Sequence, residues 1–390
     1  MTSATIALIT SHLFARNDGQ GRVNYEIARA ALNEGFRLCI LAMRCDEDLA
    51  ADPAVEYVEL NHESLPTQIL RNAAFARSAS RWLRTHQKDY DLIHASGYVT
   101  AVPADVNTAH MVHSGWIKSP AYPFSWQGGA YSAYQRFYTL RNAYLEKAAY
   151  IGARQVVAVS QKIADELRGI GVKEERLSVI YNGVDIQEFR PGVRDRARFG
   201  LPEDSMIFLF AGNIRTPGKG LDTVLAALTA TPGVHLAVAG ALEGSPFPAQ
   251  TEARGLAERV HFLGHVAEMP TLMQACDAFV FPSRYDALGL VLLEAMASGL
   301  PVLTARTAGG AEILGEGGRV LDDPNDTATL AQWMRDLAGD ALLRQRMGEA
   351  GREIAERYTW DRMAAAYLAL YDELLSTKKS PGPVYRQSVS

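Results

Sequence analysis

Residues 278–304 read AFVFPSRYDALGLVLLEAMASGLPVLT, and this run decides the fold class. Ala278–Phe281 is a short apolar stretch of strand length, and the loop from Pro282 leads into the helix-forming run around Val291–Ala297. Gly299 and Pro301 close that helix before a second strand, Pro301–Thr304. Strand, loop, helix and strand in that order make a βαβ unit of a parallel sheet, whose strands are apolar because both faces are covered. The alternation extends in both directions. In the first half strands are predicted at Thr5–Ile9, Arg37–Leu41, Asp91–Ala95, Val106–Val112 and Gln155–Val159. In the second half they are predicted at Met206–Phe210, His235–Ala239, Val260–Leu263, Ala278–Phe281 and Pro301–Thr304. The expected class is α/β: two doubly wound parallel-sheet, Rossmann-like domains facing across a cleft.

A chain of 390 residues, 48% hydrophobic, is long enough for two cores, because single cores stop growing near ~250–300 residues. The Asn-Gly and Pro-Gly signals between Leu177 and Pro191 suit an interdomain connection. The expected division is a first domain over 1–185 and a second over 186–358. A helix over 359–376 follows, and then a disordered tail over 377–390 that contains Lys378-Lys379 and Pro381.

The net charge of −5 argues against a general nucleic-acid binder but leaves small anionic ligands open, since a phosphate site needs only a local positive field. Residues 1–180 carry 19 basic and 18 acidic side chains against 20 and 26 in the remainder, so the first half is the relatively basic one. The cysteines, Cys39, Cys45 and Cys276, have no metal-ligand or Cys-x-x-Cys spacing and fit a reducing compartment. No secretion signal is read at Met1-Thr2-Ser3-Ala4, and no apolar run reaches the ~18–20 residues of a spanning helix. A cytoplasmic protein, peripheral at most to the inner face of a membrane, is expected.

The strongest site signal is Pro282–Pro301. At the carboxyl edge of a parallel sheet its loop lies where ligands bind, and the helix it opens offers free amides to an anion. Asp286 and Glu294 are eight residues apart, about two helical turns, so both carboxylates are expected to point into the cleft. Asp286 reads equally as a plain helix N-cap. Glu294, set in an apolar helix, calls for a partner or ligand. The second signal, Gly212–Asp222, carries Arg215 and Lys219, cations suited to neutralising a diphosphate leaving group without a metal. Taken alone it would be a solvated loop. Gly19-Gln20-Gly21 lacks the third glycine of a dinucleotide fingerprint, which disfavours an NAD enzyme. Of the histidines ending Val106–Val112, His113 ranks above His110 as nearer the cleft. Asp46-Glu47-Asp48 formally contains an Asp-x-Asp metal signature but reads as a solvated acidic surface, and no metal site is indicated.

Taken together, Val157–Ser160, Val179–Asp185 with Phe189-Arg190-Pro191, Gly212–Gly220, Phe262–Val266 and Asp286–Pro301 resemble glycosyltransferase family 4 over most of the chain. The resemblance implies a GT-B fold and a retaining, metal-independent transfer from a nucleotide sugar, with no cofactor. It makes Asp286 and Glu294 the family's paired acids, here with Asp in the first place. It assigns donor contacts to Gly19, Gly21, Asn182, Gly212, Arg215, Lys219, Gly240, Leu263, His265, Val266, Ala287, Leu288, Gly289 and Leu290, and it puts the last helix back over the first domain. The catalytic set it implies is His113, Arg215, Lys219, Asp286 and Glu294. Asn213 stands where many members carry an arginine, and Arg215 is the substitute cation. His110–His113, Gln161–Asp165 and Gly289–Pro301 look like the lipopolysaccharide-core glucosyltransferases, favouring UDP-glucose and leaving GDP-mannose open. The rivals are a GT-B epimerase or hydrolase and a non-catalytic nucleotide-sugar-binding regulator. The acceptor is expected to be a saccharide or lipid-linked glycan. The basic run Leu70–Lys88 reads as either a solvated helix or a contact of the N-terminal domain with an anionic membrane.

Overall fold

The computed structural model describes residues 4–16 and 18–379, so the expectations for Met1–Ser3 and for the tail beyond Lys379 lie outside the described residues. The first half contains β1 (Thr5–Ile9), β2 (Leu13–Phe14), β3 (Arg37–Ala42), β4 (Arg44–Cys45), β5 (Val55–Glu59), β6 (Leu92–Ser96), β7 (Val106–Ala109), β8 (Gln155–Ala158) and β9 (Leu177–Val179). Between them run α1 (Gly19–Asn33), α2 (Glu47–Ala50), α3 (Gln68–His86), α4 (His113–Lys118), α5 (Gly129–Gly152) and α6 (Gln161–Gly169). Apart from the small β2–β4 pair, these strands form a seven-stranded parallel sheet in the order β5-β3-β1-β6-β7-β8-β9.

The second half repeats the plan with β10 (Met206–Ala211), β11 (Val234–Ala239), β12 (Val260–Gly264), β13 (Ala278–Phe281), β14 (Val302–Ala305) and β15 (Gly318–Leu321). Its helices are α7 (Leu221–Thr229), α8 (Phe247–Ala253), α9 (Met269–Ala275), α10 (Leu290–Ala297), α11 (Thr327–Gly339), α12 (Ala341–Ala355) and α13 (Trp360–Lys379). The six strands pair in parallel in the order β12-β11-β10-β13-β14-β15. Helices cover both faces of β1 and β10, so Ile6–Ile9 and Ile207–Ala211 are buried throughout. In each sheet the chain reverses its direction of travel once, between β1 and β6 and between β10 and β13. The crevice beyond the strand ends at such a reversal is where ligands bind in open α/β sheets.

Helix α13 packs back against α1 and the first sheet. Its Tyr367 and Tyr371 rings are fully buried, and the Tyr371 hydroxyl and Thr108 hold the two nitrogens of His94 at 2.6 and 2.8 Å. Burial pushes that imidazole down to about 3, so it is a neutral member of the network. Truncating either tyrosine would cost on the order of 3 kcal/mol. The helix continues to Lys379, into the stretch expected to be disordered.

Several boundaries differ from the sequence expectation. Leu177–Val179 is an edge strand of the first sheet, where a connector was expected. Strands β5 and β15 went unread: β5 is VEYVE, a half-exposed edge with alternating acids, and β15 is only Gly-Arg-Val-Leu. Strand β7 stops at Ala109, and His113 opens α4, so His110 and His113 are not related by strand alternation. Asp286 and Glu294 do not share a helix, because α10 begins only at Leu290. Asp48 is exposed, as the acidic-surface reading expects. It takes hydrogen bonds from the Tyr25 hydroxyl at 2.5 Å and from Arg16 at 2.8 Å and thereby braces the loop after β2.

Candidate functional site

The loops following β10 and β13 meet at the reversal point of the second sheet. After β13 the chain forms an isolated bridge between Asp286 and Ala308, and the Gly309 and Gly310 amides donate to the Asp286 and Leu288 carbonyls at 3.1 and 2.6 Å. A Cβ at Gly309 would lie 1.9 Å from the Ala287 oxygen, so only glycine lets the two segments approach this closely. The loop is therefore fixed before any ligand arrives. Against it lies Lys219, at the end of a 3-10 turn over Pro217–Lys219. Its ammonium donates to the Asp286 carboxylate at 2.5 Å. Helix α10 is capped by Gly289 at φ 81°, without a side-chain cap and without an acid in its first turn. The first amides of a helix have no carbonyl one turn back. Those of α10 take no side-chain cap, an arrangement that favours an anion. Asp286 does not cap that helix. It orients the lysine.

One turn further along α10, Glu294 borders a pocket of about 200 Å³ that is also lined by Gly19, Arg22, Glu188 and Trp360. Its carboxyl is pushed up to about 7, chiefly by burial, with Glu188 adding to the shift and Arg22 opposing it. A half-buried acid free of close ion pairs suits a ligand diol. Leu288 is buried, while Ala287 receives the Ser160 hydroxyl at 2.5 Å on its carbonyl. Asn182 is buried, and its side-chain oxygen has no partner among the described residues. A Cβ on Gly240 would sit 2.4 Å from the Gly212 oxygen, so these two glycines pack the loops after β11 and β10 together. Leu263 lies near the end of the edge strand β12, His265 and Val266 follow it, and His265 is exposed. Arg215 is not gathered with Lys219. It is exposed and donates to the Glu243 carbonyl at 3.0 Å.

At the reversal point of the first sheet, the loops after β1, β6 and β7 enclose a cavity of about 310 Å³. His113 stands at its edge, with Nδ1 on the Glu146 carboxylate at 2.6 Å and its backbone amide on the other oxygen at 3.0 Å. Those two bonds fix the ring plane and leave Nε2 toward the cavity, 3.4 Å from the Asn142 amide. Gly19 and Gly21 open α1. The Gly21 amide is already taken by Asp18 at 2.6 Å, and Gly19 would bring a Cβ to 3.6 Å from Leu290 of the second domain.

Both halves of the chain match known families. Residues 17–188 match the family described as Glycosyltransferase Family 4, and residues 193–354 match Glycosyl transferases group 1. A D-inositol 3-phosphate glycosyltransferase of Streptomyces scabiei is 30% identical over 81% of this chain and 74% of its own length. The chain belongs to glycosyltransferase family 4. Among solved structures, WaaG, a glycosyltransferase involved in lipopolysaccharide biosynthesis, superposes with a TM-score of 0.75 at 21% identity over 94% of this chain and 98% of its own. HepE of Anabaena, solved in complex with UDP-glucose, gives 0.68 at 20% identity over 97% and 100%. At these identities the likeness is one of fold, and that fold is GT-B.

A family 4 glycosyltransferase is a hexosyltransferase that uses a nucleotide sugar, and in this enzyme the loops at the two reversal points touch. What joins them went unread in the sequence. Tyr285, beside Asp286, reaches into the first domain, where its hydroxyl donates to Glu166 at 2.8 Å and lies 3.3 Å from the Val112 carbonyl. The Lys162 ammonium sits 3.7 Å over its ring centroid, and Trp116 packs against it at 5.0 Å. Burial, with Glu166 beside it, raises the phenol well above its ordinary value, so it stays a donor. The only available signal was Tyr285 standing next to the acid. Glu146, twenty-four-residue helix α5's buried acid, gave a similar one: a carboxylate at 7% exposure needs a partner.

Proposed function

We propose that this enzyme moves a hexose, most simply glucose from UDP-glucose, to a saccharide or lipid-linked glycan, with retention of anomeric configuration and without a divalent metal. The observation that carries this is the Lys219–Asp286 pair beside the uncapped N-terminus of α10. A diphosphate seated there meets an ammonium and free amides, which together supply the positive charge a metal would otherwise bring. The acceptor oxygen attacks the anomeric carbon from the side on which the diphosphate departs. The C1–O bond to phosphate breaks as the new C1–O bond forms, and a leaving phosphate oxygen takes the acceptor proton. Glu294 accepts from the ribose diol, and the Leu288–Leu290 amides hold phosphate and sugar. His113 Nε2, held by Glu146, faces the transferred sugar. HepE, of the same fold, was solved with UDP-glucose, which supports the donor choice; GDP-mannose is the alternative the test includes.

Thermal-shift titration with UDP, GDP and ADP and their common sugars, with and without chelator, tests the proposal. One nucleotide series raising the midpoint equally in chelator fits it. A shift that disappears with chelator removes the metal-free mechanism, and binding without transfer to any acceptor favours a nucleotide-sugar-binding regulator.

The same proposal includes peripheral contact with an anionic bilayer through α3 and α5. Phe137, Leu140, Tyr144 and Ile151 recur at helical spacing on α5 and are 36–76% exposed. Arg77, Arg81 and Arg84 of α3 line a groove with Arg141 beside them, and among the described residues none of the four has an ion pair within 4.0 Å. Apolar residues flanked by unpaired arginines fit an interfacial face. Sedimentation with phosphatidylglycerol vesicles is expected to carry the protein down; if it stays in the supernatant, the contact is wrong. No helix of the described residues is long and apolar enough to cross a membrane.

A further inference from the structure

The cavity at the first reversal point has an unusual charge inventory for a family whose curated relatives are named for D-inositol 3-phosphate. No lysine or arginine lines it, and its carboxylate, Glu146, is committed to His113 through two bonds. The lining is otherwise amide, hydroxyl and imidazole, including Ser11, His12, Asn72, Tyr98, His110 and Asn142. Desolvation weakens two of its imidazoles as cations. Burial lowers His12 from its ordinary value and pushes His110 down to about 3. The nearest long helix end, that of α1, already holds the Asp18 carboxylate on its Gly21 amide. Among the described residues Nε2 of His110 is buried without a hydrogen-bond partner. The neighbouring groove that holds the four arginines shares one lining residue with the cavity, Tyr98, and none of the arginines lines the cavity itself.

A phosphate brought into this space would exchange water for neutral groups, and a charge buried without a counter-charge costs several kcal/mol. A hydroxyl both donates and accepts, which is what amide, hydroxyl and imidazole groups match. We infer that the unit of the acceptor seated in this cavity is a neutral, polyhydroxylated ring, an unphosphorylated sugar or cyclitol, one of whose hydroxyls bonds His110 Nε2. The inference rests on the glycosyl-transfer proposal above and narrows its acceptor.

The test uses the full chain saturated with whichever nucleotide the thermal-shift screen selects. A panel of free sugars and myo-inositol is titrated beside the corresponding monophosphates, and transfer from labelled donor is scored on both sets. Neutral rings are expected to bind and be glycosylated at least about tenfold more efficiently than their phosphate esters. Asn72→Lys, which adds a cation to the wall, is expected to reduce or reverse that preference, and His110→Phe to weaken the neutral ligand by about tenfold while nucleotide affinity is kept. Equal or better use of the phosphate esters by the wild type overturns the inference, as does a panel in which no neutral ring binds although the nucleotide does. Failure of every nucleotide to bind instead sinks the glycosyl-transfer proposal, so the two failures are distinct.

Discussion

The two sheets, of seven and six strands, share the strand order around their reversal points, and the loops there touch, yet the helix ends at those points are built differently. Helix α1 begins at a glycine but is closed by Asp18, whose carboxylate takes the Gly21 amide. Helix α10 begins behind Gly289 with no side-chain cap, and Lys219 stands beside its loop. One N-terminus is closed by a residue of the chain, while the other has no side-chain cap. The difference teaches that a doubly wound fold supplies two equivalent ligand crevices, and on the reading proposed above cap and charge decide which of them receives phosphate. The largest expected effect follows directly. Lys219→Ala should lower kcat by about 10²-fold or more, the scale of losing one preorganised charge at a leaving group. Steady-state kinetics with near-wild-type turnover would break the assignment of the diphosphate to α10.

Glu294 sharpens the comparison at the nucleoside end. Its carboxyl is raised to about 7, so near neutral pH it is partly protonated, whereas accepting from a ribose diol calls for the ionised form. Donor affinity is expected to strengthen as pH rises through about 7. In the free enzyme the sign is opposite: the folded state holds this proton more tightly than the unfolded chain, so stability falls as pH climbs from the ordinary carboxylate range to about 7. Glu294→Gln should weaken donor binding about tenfold, as for a bond to a charged group, and flatten the pH dependence. Calorimetry showing the same slope in the variant would place the titrating group elsewhere.

Tyr285 carries the difference between the two points into contact, because it leaves the loop after β13 and ends in the first domain on Glu166. Tyr285→Phe keeps the ring against Lys162 and Trp116 and removes the bond. Donor KM is expected to rise about fivefold with little change in the fold, since Glu166 retains Lys162 at 2.7 Å. An unchanged KM would mean that domain closure does not depend on this contact.

Sequence reading reached as far as local signals go. The alternation of apolar strands and helices around Ala278–Thr304 gave both sheets, because strands such as Met206–Ala211 are apolar on both faces. It did not give the edges: VEYVE at Val55–Glu59 and the single-valine β15 are half-exposed and carry no apolar run. The site followed the same pattern. Lys219, Asp286 and Glu294 stand out from their neighbours in chemistry, and the structure brings the first two to 2.5 Å. The helical relation expected between the two acids did not survive, because Gly289 ends one conformation and starts another. Arg215 looked equivalent to Lys219 in sequence, yet it turns outward to Glu243, a partner 28 residues away that spacing does not reveal. His12, His110, Asn142 and Glu146 were out of reach as a group, since three separate segments, the loops after β1 and β7 and helix α5, bring them to one cavity.

The smallest expected effect tests the comparison most directly, by making α1 resemble α10. Asp18→Ala removes the carboxylate from the Gly21 amide and leaves that helix end uncapped. Loss of an N-cap costs about 1 kcal/mol, a midpoint drop of about 2 °C in a protein of this size. Asp18 also lines the pocket beside Glu294, so its removal subtracts one negative charge from the donor side. Nucleotide affinity should therefore hold or improve slightly, while inorganic phosphate and phosphorylated rings should gain affinity for the first domain. The free amides of α1 would then offer an anion what α10 already does. A fall in nucleotide affinity would mean that Asp18 itself accepts from the donor, and the contrast between a closed and an open helix end would then have to give way to two ends that both serve one ligand.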